Sequence, residues 1–259
     1  MIIATCRELF RHRDLIRELV VRALKVRYRR SAIGFLWTML HPLIMMLVLT
    51  VVFREIFRVQ VENYQLYALT GITFWQFFSQ TVTSSLYSLG GNARLLTKLP
   101  LPKAVFPIAT VLSGLLNLIF AMVPLLGIAL VTGHHLSLSL LFVPVSIVIA
   151  FAFALGVALL VAPLAVIFSD TVEVVGILLS FVMYLTPVFY PRTIIPEHLR
   201  RIFALNPITA VLEVFRAPIV DRTLPATADL TVAVVAAVVL LALGSWVFMR
   251  SSRRLALYL

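Results

Sequence analysis

Long apolar stretches alternate along the chain with short connections that carry charges or prolines. A helix that crosses a membrane needs about 20 consecutive apolar residues. The second apolar stretch carries many polar residues, and the fifth is short and is interrupted by Pro187. The pattern predicts an all-α integral membrane protein with six transmembrane helices. The predicted spans are 34–55, 64–89, 105–132, 138–167, 173–190 and 229–249.

The composition argues against a water-soluble protein. Hydrophobic residues make up 61% of the chain and its mean hydropathy is +1.05, whereas soluble domains contain about 45–50% apolar residues. A soluble domain with this composition would expose large apolar patches. The net charge of +11 would suggest a nucleic-acid partner on a soluble protein. Here the charge is confined to a few blocks, so membrane topology explains it better and we expect no nucleic acid.

Residues 7–30 mix apolar and charged positions at helical spacing, which predicts an amphipathic helix lying along the membrane surface. Gly34 then lets the chain turn into the bilayer, and Pro42 bends the first span. The arginines would lie at the level of the lipid phosphates. There they anchor the helix or attract a diphosphate group. We identify no cleavable signal peptide in this segment.

The basic residues predict the orientation. With six spans, 15 of the 22 lysines and arginines fall on one side: before the first span, between the second and third, and after the last. Because basic loops remain in the cytoplasm, both termini are expected to be cytoplasmic.

The second span carries polar residues within an arc of roughly 100°, given 3.6 residues per turn. Such a stripe faces either another helix, through interhelical hydrogen bonds, or a hydrated path for a polar, neutral cargo. Hydroxyl and amide groups suit sugars because they exchange hydrogen bonds without selecting for charge. The stripe consists of Thr73, Gln76, Gln80, Thr83, Ser84 and Tyr87.

Aromatic residues gather near the outer ends of the second and fifth spans. They form either an interfacial belt or faces on which sugar rings stack. Those that we assign to a substrate path are Phe74, Tyr184, Phe189 and Tyr190, together with Trp37 in the first span.

No catalytic or cofactor motif is recognisable. The chain has no phosphate-binding GxxxxGK[ST] loop, no HExxH, no paired cysteines and no nucleophile elbow. His134 and His135 are interpreted as a solvated turn rather than metal ligands. The predicted spans lack Asp, Glu, Lys and Arg in their centres, which argues against an ion-coupled carrier. We therefore expect no catalytic residue, metal or cofactor in this chain.

Residues 191–222 are neither a span nor a simple loop. A crossing segment would place Glu213 and Arg216 in lipid, so two short re-entrant helices that dip into the outer leaflet and return are predicted between spans five and six. Glu213 and Arg216 stand three residues apart and could form an ion pair.

Four motifs, in this order and at these span boundaries, resemble those of the permease subunits of polysaccharide ABC exporters, the type 2 class that moves O-antigen, capsule or teichoic acid. The motifs are YRRSAIGFLW (28–37) with Pro42, NARLLTK (92–98) with Pro102, TPVFY (186–190), and NPIT (206–209) with Glu213 and Arg216.

The resemblance implies a homodimer in the inner membrane of a bacterium, with two separate ATPase subunits that bind ATP and Mg²⁺. The cargo would be a glycan on a polyprenyl-diphosphate lipid. Where the family commonly has Arg-Asp before span five, this chain has Ser169-Asp170. By the same resemblance, the residues that receive the ATPase's motion are Arg11, Arg17, Asn92, Arg94, Lys98, Pro102 and Asp170. The residues of the external gate are Asn206, Pro207, Glu213 and Arg216.

Two alternatives remain open from the sequence. A permease of the same architecture could export a drug or a small lipid, because the spans do not identify the cargo. A membrane scaffold without a transport role is the second alternative.

Overall fold

The fold is entirely helical in the part of the chain that the computed structural model describes, residues 11–28, 34–56, 63–98, 101–133, 137–252 and 255. The all-α prediction is confirmed. The helices are α1 (Arg13–Tyr28), α2 (Trp37–Thr50), α3 (Tyr64–Leu86), α4 (Ala93–Lys98), α5 (Val105–Val131), α6 (Val143–Ile167), α7 (Thr171–Leu185), α8 (Glu197–Ala204), α9 (Pro207–Arg216) and α10 (Thr227–Ser252).

Within the described ranges, four helical segments are long and apolar enough to cross a membrane. They are Trp37–Arg54, Val105–Val131, Leu138–Ile167 and Thr227–Ser252. Helix α3 has 23 residues, about 34 Å at 1.5 Å per residue, but it carries the polar stripe. Helix α7 has 15 residues, about 22 Å, which is shorter than the ~30 Å hydrocarbon core. The count of six spans stays a prediction.

The chain turns sharply between α1 and α2, where Gly34 has a left-handed backbone (φ +55°). Glycine reaches this conformation without the steric cost of a side chain. Helix α2 continues through Pro42, and a wider helical turn, Val51–Ile56, extends it. The first half of the YRRSAIGFLW motif includes residues 29–33, which lie outside the described residues.

Helix α7 ends at Leu185, five residues before the predicted end of the span. Pro187 explains the difference, because it lacks an N–H donor and disfavours helical backbone in the residue before it. Thr186 is accordingly extended (φ −106°, ψ 131°). The chain from Thr186 to Tyr190 is therefore non-helical, and we call it the unwound segment.

Helices α6 and α10 pack very closely at a pair of glycines. A β-carbon at Gly156 would lie 2.6 Å from Leu241 N, and one at Gly244 would collide with the carbonyl oxygen of Gly156. Small residues allow apolar helices to approach each other in a membrane. This contact fixes α10 along α6.

A small apolar cluster closes one end of the bundle and joins α1, α4 and the ends of α5, α6 and α10. Helix α1 also packs along α5 and buries Val20, so its apolar side contacts protein. We call this end the basic end, since it holds Arg94, Lys98 and Arg250. The cluster contains Leu89, Phe106, Leu159, Ala162, Phe248 and Leu255, with Leu19, Leu95 and Leu96 packed against it.

Candidate functional site

A cavity of about 500 Å³ lies between α1, α2, α3 and α5. Most of its polar groups are hydroxyls and carboxamides from α3 and α5, and the side chain of Trp37 forms part of the wall. Its lining comprises Ala23, Leu24, Gly34, Trp37, Thr38, Thr73, Gln76, Phe77, Gln80, Thr81, Ser84, Thr110, Ser113, Gly114, Asn117, Leu118 and Ala121.

The cavity brings together four residues of the predicted stripe: Thr73, Gln76, Gln80 and Ser84. The other two, Thr83 and Tyr87, are exposed and do not line it.

The predicted aromatic path is divided. Trp37 lines the cavity, whereas Phe74 is buried elsewhere with its ring 5.8 Å from that of Phe215. Tyr184, Phe189 and Tyr190 lie at or just beyond the C-terminal end of α7, the end that the sequence predicts to face outward. Tyr184 is largely exposed there, and the hydroxyl of Tyr190 donates to the Tyr184 carbonyl.

Helix α5 contributes three polar cavity residues that the sequence reasoning missed: Thr110, Ser113 and Asn117. They recur at intervals of three and four residues, the spacing of one helix face. Gly114 lies between them, and a β-carbon there would collide with Thr81 Oγ1. The signal that could have revealed them is a second, shorter polar stripe in the predicted third span.

Two hydroxyls of the lining are buried with no hydrogen-bond partner in the described part of the chain, Thr73 Oγ1 and Thr81 Oγ1. Each residue is 2% exposed. Buried hydroxyls are normally paired with protein or with ordered water. Both oxygens are inaccessible to water in this conformation, so the accessible polar groups of the lining include those of Gln76, Gln80 and Ser84 instead.

Among the residues that the structure describes, no Asp, Glu, Lys or Arg lines the cavity. His41 is hydrogen-bonded to the polar stripe: its Nδ1 lies 3.3 Å from Gln76 Nε2. Carboxamides can donate and accept at once, and an aromatic face adds a surface for stacking. This lining suits a neutral, polar ligand.

At the opposite end of the bundle from the apolar cluster, side chains from α3 and α9 bind the backbone of the unwound segment. Arg216 donates to the carbonyl oxygens of Pro187 and Val188, both at 3.0 Å. Tyr64 and Tyr67 donate to those of Phe189 (2.8 Å) and Tyr190 (2.9 Å). These carbonyls lie beyond the end of α7 and have no helical partner, so the side chains of α3 and α9 satisfy them. We call this set of contacts the outer clamp.

Asn206 completes the outer clamp from the start of α9. Its Nδ2 donates to Thr186 Oγ1 at 2.8 Å and to the carbonyl oxygen of Leu185 at 3.3 Å. Its Oδ1 accepts from the backbone N–H of Ile208 at 3.1 Å, so the same side chain caps α9. Pro207 occupies the first helical position, where a missing N–H costs nothing.

Arg216 is 1% exposed, and its charge is balanced locally. Its Nη1 lies 3.0 Å from Glu213 Oε1, which confirms the predicted pair. Arg192 lies 3.6 Å from Glu213 and 3.2 Å from Asp229 at the start of α10. Two cations thus meet two carboxylates. The guanidinium of Arg216 also stacks 3.8 Å above the ring of Tyr67, a cation–π contact.

The residues predicted to receive an ATPase's motion lie on α1, on the 92–102 segment and in the turn after α6. The side chains of Arg11, Arg17, Arg94, Lys98 and Asp170 are exposed, and Asn92 and Pro102 are half-buried. Leu95 and Leu96 of α4 and Leu19 of α1 contact the apolar cluster described above. That cluster connects α1 and α4 to α5, α6 and α10.

Lys103, absent from the predicted set, ties the same segment to the last helix. Its Nζ donates to the carbonyl oxygen of Ser252 at 2.7 Å, and burial lowers the pKa of its ammonium group. A lysine at the C-terminus of a helix satisfies an unpaired carbonyl and interacts favourably with the helix dipole.

No group of three or more His, Cys, Asp or Glu side chains could hold a metal ion within the ranges described. His134 and His135 lie outside those ranges.

Comparison with known proteins identifies the family. The family model of ABC-2 type transporters matches residues 14–220. The O-antigen export system permease protein RfbA of Myxococcus xanthus is 32% identical over 250 residues, which cover 96% of this chain and 95% of that protein. A protein of the same name from Klebsiella pneumoniae is 30% identical over 200 residues, 77% of each chain. The capsule polysaccharide export inner-membrane protein CtrC of Neisseria meningitidis serogroup B is 23% identical over 208 residues, 79% of this chain and 78% of that protein. The chain belongs to the ABC-2 type transporter family.

Proposed function

We propose that this protein is the transmembrane subunit of an ATP-driven exporter that moves a lipid-linked polysaccharide, such as O-antigen, across the inner membrane. The observation that carries the proposal is the cavity: it presents hydroxyl and carboxamide groups, and none of the described residues that line it is charged. A sugar exchanges hydrogen bonds with such a lining as it does with water. The names of two relatives, an O-antigen export permease and a capsule polysaccharide export protein, indicate the same class of cargo.

In this proposal the chain crosses the membrane six times with both termini in the cytoplasm. Helices α3 and α7 add two crossings to the four apolar spans, α3 with its polar side toward the cavity and α7 extended by the unwound segment. Two facts support this topology. The apolar cluster places α1 and the end of α10 at the same end of the bundle, so the number of crossings between them is even. Most of the basic residues in the described ranges also belong to residues 11–28, to residues 94–103 and to the end of α10.

The working assembly is a homodimer with two nucleotide-binding ATPase subunits at the basic end, where ATP and Mg²⁺ bind to the ATPases. The exposed charges of α1 and α4 form the docking surface, with Arg11, Arg17, Arg94, Lys98 and Asp170 in direct contact. The apolar cluster then passes the movement to α5, α6 and α10. Two contacts of the segment that contains α4 support this role. Leu95 and Leu96 pack against the apolar cluster, and Lys103 donates a hydrogen bond to the carbonyl oxygen of Ser252.

The substrate path runs from the cavity along α3 toward the outer end of α7. Gln76, Gln80 and Ser84 bind sugar hydroxyls, and Trp37 stacks against a ring. Tyr184, Phe189 and Tyr190 lie at the external mouth. Helices α8 and α9, which we propose to be re-entrant, shape this mouth, and Asn206, Pro207, Glu213 and Arg216 form its gate region.

Deleting the gene and separating the surface glycans on a gel tests the cargo. Loss of the long polymer, restored by the wild-type gene, is the expected result. Unchanged surface polymer would instead favour export of a drug or a small lipid. Purification tests the partner: the protein should co-purify with an ATPase subunit. A dimer that exports cargo without any ATPase would refute the proposal, and a protein whose loss affects no export would be a scaffold.

A further inference from the structure

Lys103 follows the 92–102 segment and joins it to the C-terminal end of α10. We propose that Lys103 is a positioning residue for ATP-driven export: its bond to Ser252 fixes the position of the 92–102 segment along α10, so that motion of the segment reaches α10 and α6. The inference deepens the proposed function and rests on it, since it takes the basic end to be the side where the ATPases dock.

The first step concerns the position of Lys103 relative to α5. Lys103 lies two residues before the helix begins at Val105, where the positive end of the helix dipole disfavours a cation. Its ammonium group instead reaches the negative end of α10, where Nζ donates to the carbonyl oxygen of Ser252 at 2.7 Å. The contact with α10, and not its own helix, therefore accounts for a positive charge at this position.

The second step concerns the backbone from which the side chain projects. The backbone N–H groups of Val105 and Phe106 donate to the carbonyl oxygens of Pro102 (3.0 Å) and Lys103 (3.4 Å). These two bonds form a tight turn that continues into α5, and the ring of Pro102 restricts the backbone further. Because the turn is constrained, a displacement of the 92–102 segment carries the ammonium group of Lys103 with it.

The third step compares this bond with the apolar contacts beside it. Phe106 is buried in the apolar cluster, against which Leu95 and Leu96 of α4 pack. Apolar contacts are non-directional, so they hold α4 against the bundle without fixing its position along α10. A hydrogen bond depends on both distance and angle, and one donated by a charged group is stronger than one between neutral groups. The bond from Lys103 to Ser252 therefore sets that position.

The fourth step follows the contact from α10 to α6. The backbones of the two helices touch at Gly156 and Gly244, where a β-carbon on either residue would meet the backbone of the other helix. No flexible side chain lies between the helices at this point, and close packing of this kind transmits displacement. Helices α6 and α10 therefore move together, and a force applied at Ser252 acts on both.

Removing the donor tests the proposal. Lys103→Met keeps an unbranched apolar chain and has no ammonium group. We expect polymer to appear at the cell surface about 10-fold more slowly per exporter complex, the scale of one charge-assisted hydrogen bond. The purified complex with its ATPase should still hydrolyse ATP at a near-normal rate. An export rate equal to that of the wild type would overturn the inference.

Ser252→Ala is the matched control. The Ser252 hydroxyl donates within α10, to the carbonyl oxygen of Met249 at 2.8 Å, whereas Lys103 binds the Ser252 carbonyl, which the variant retains. Export by Ser252→Ala should therefore match that of the wild type. A loss as large as that of Lys103→Met would show that the end of α10 matters without the bond, and would contradict the proposal.

Two further measurements separate positioning from stability. Lys103→Arg keeps a cationic donor and should recover most of the export rate; a rate no better than that of Lys103→Met would count against the bond. A purely structural role would lower the amount of assembled complex and its thermal midpoint but leave the polymer exported per ATP hydrolysed unchanged, which would also refute the inference.

If Lys103→Met does not assemble with the ATPase, Lys103→Gln, which is shorter and uncharged, replaces it with the same loss expected. Failure of the proposed function is distinguishable from failure of this inference. In the first case the wild-type protein itself forms no ATPase complex and exports no polymer. In the second case the wild type does both, and the Lys103 variants export as much polymer per ATP as it does.

Discussion

Gly71 and Arg216 lie so close together that a β-carbon on Gly71 would be 2.6 Å from Arg216 Nη2 and would collide with the carbonyl oxygen of Val188. The absence of a side chain at position 71 is what allows α3, α9 and the unwound segment to meet. The Arg216 side chain therefore reaches its partners beside Gly71, where a larger residue of α3 would obstruct it.

We expect Gly71→Ala to destabilise the protein by about 1–3 kcal/mol, the usual cost of overpacking. The obstacle is backbone and a held guanidinium, neither of which can swing away. The measurement is the thermal midpoint of the purified protein in detergent. Gly127→Ala in α5 is the matched control because a β-carbon there meets nothing within 4 Å. Equal thermal midpoints for the two variants would contradict the close packing around Gly71.

Filling the cavity should block transport without disturbing assembly. Ser84→Phe places a ring among the lining residues, and we expect surface polymer to be lost while the dimer persists on size-exclusion chromatography. Thr83→Phe is the control, since Thr83 is the neighbouring exposed residue and does not line the cavity. If Ser84→Phe exports normally, the polar stripe serves only to pack helices.

Removing cavity amides without filling the space tests how the ligand is held. Asn117→Leu on α5 keeps a similar volume and removes both the donor and the acceptor, so export should slow by roughly 10-fold, equivalent to about 1.4 kcal/mol, the scale of one or two net hydrogen bonds. Initial rates of polymer appearance at the surface give the comparison. A wild-type rate would exclude α5 from the path.

The 92–102 segment should couple ATP hydrolysis to export. In the complex with its ATPase, the Lys98→Ala, Pro102→Ala double variant should hydrolyse ATP at a near-normal rate while exporting little polymer. The exposed Lys98 would contact the ATPase, and Pro102 stiffens the connection to α5. Normal export by the double variant would remove this segment from the mechanism.

Separating α6 from α10 should unfold the bundle rather than alter transport selectively. Gly244→Leu drives a side chain into the backbone of Gly156, and no rotamer avoids the β-carbon contact. We expect the protein to be degraded or to lose its thermal transition. The control is Gly176→Leu on α7, where a β-carbon meets no atom within 4 Å; this variant should be inserted at normal levels.

The helical periodicity of polar residues predicted part of the cavity lining. It could not predict the rest, for physical reasons. Thr73, Gln76, Gln80 and Ser84 share one face of α3, and a 3.6-residue period reveals them. Whether a residue at the edge of the stripe reaches the cavity depends on the neighbouring helices. Thr83 and Tyr87 therefore fall outside it. Asn117 and Ser113 escaped notice because they are isolated within a long apolar run.

The outer clamp was also only partly predictable, because most of its contacts join residues that are far apart in the sequence. The pair of Glu213 and Arg216 was predictable because its spacing of three residues is a local rule. Tyr64, Tyr67 and Gly71 were not, since their roles depend on how Pro187 unwinds the end of α7 and where the freed carbonyls then lie. The same proline ends the helix at Leu185, before the predicted end of the fifth span, although apolar residues continue past it.

The bond between Arg216 and Tyr67 joins residues that are 149 positions apart, and this separation sets an order of events during biosynthesis. A ribosome has made most of the chain before the guanidinium exists, so the carbonyl oxygens of Pro187 and Val188 lack their Arg216 donor until residue 216 has been synthesised. Chains truncated before position 216 never leave that state. Arg216 therefore closes the clamp only after all the helices from α1 to α9 have been synthesised.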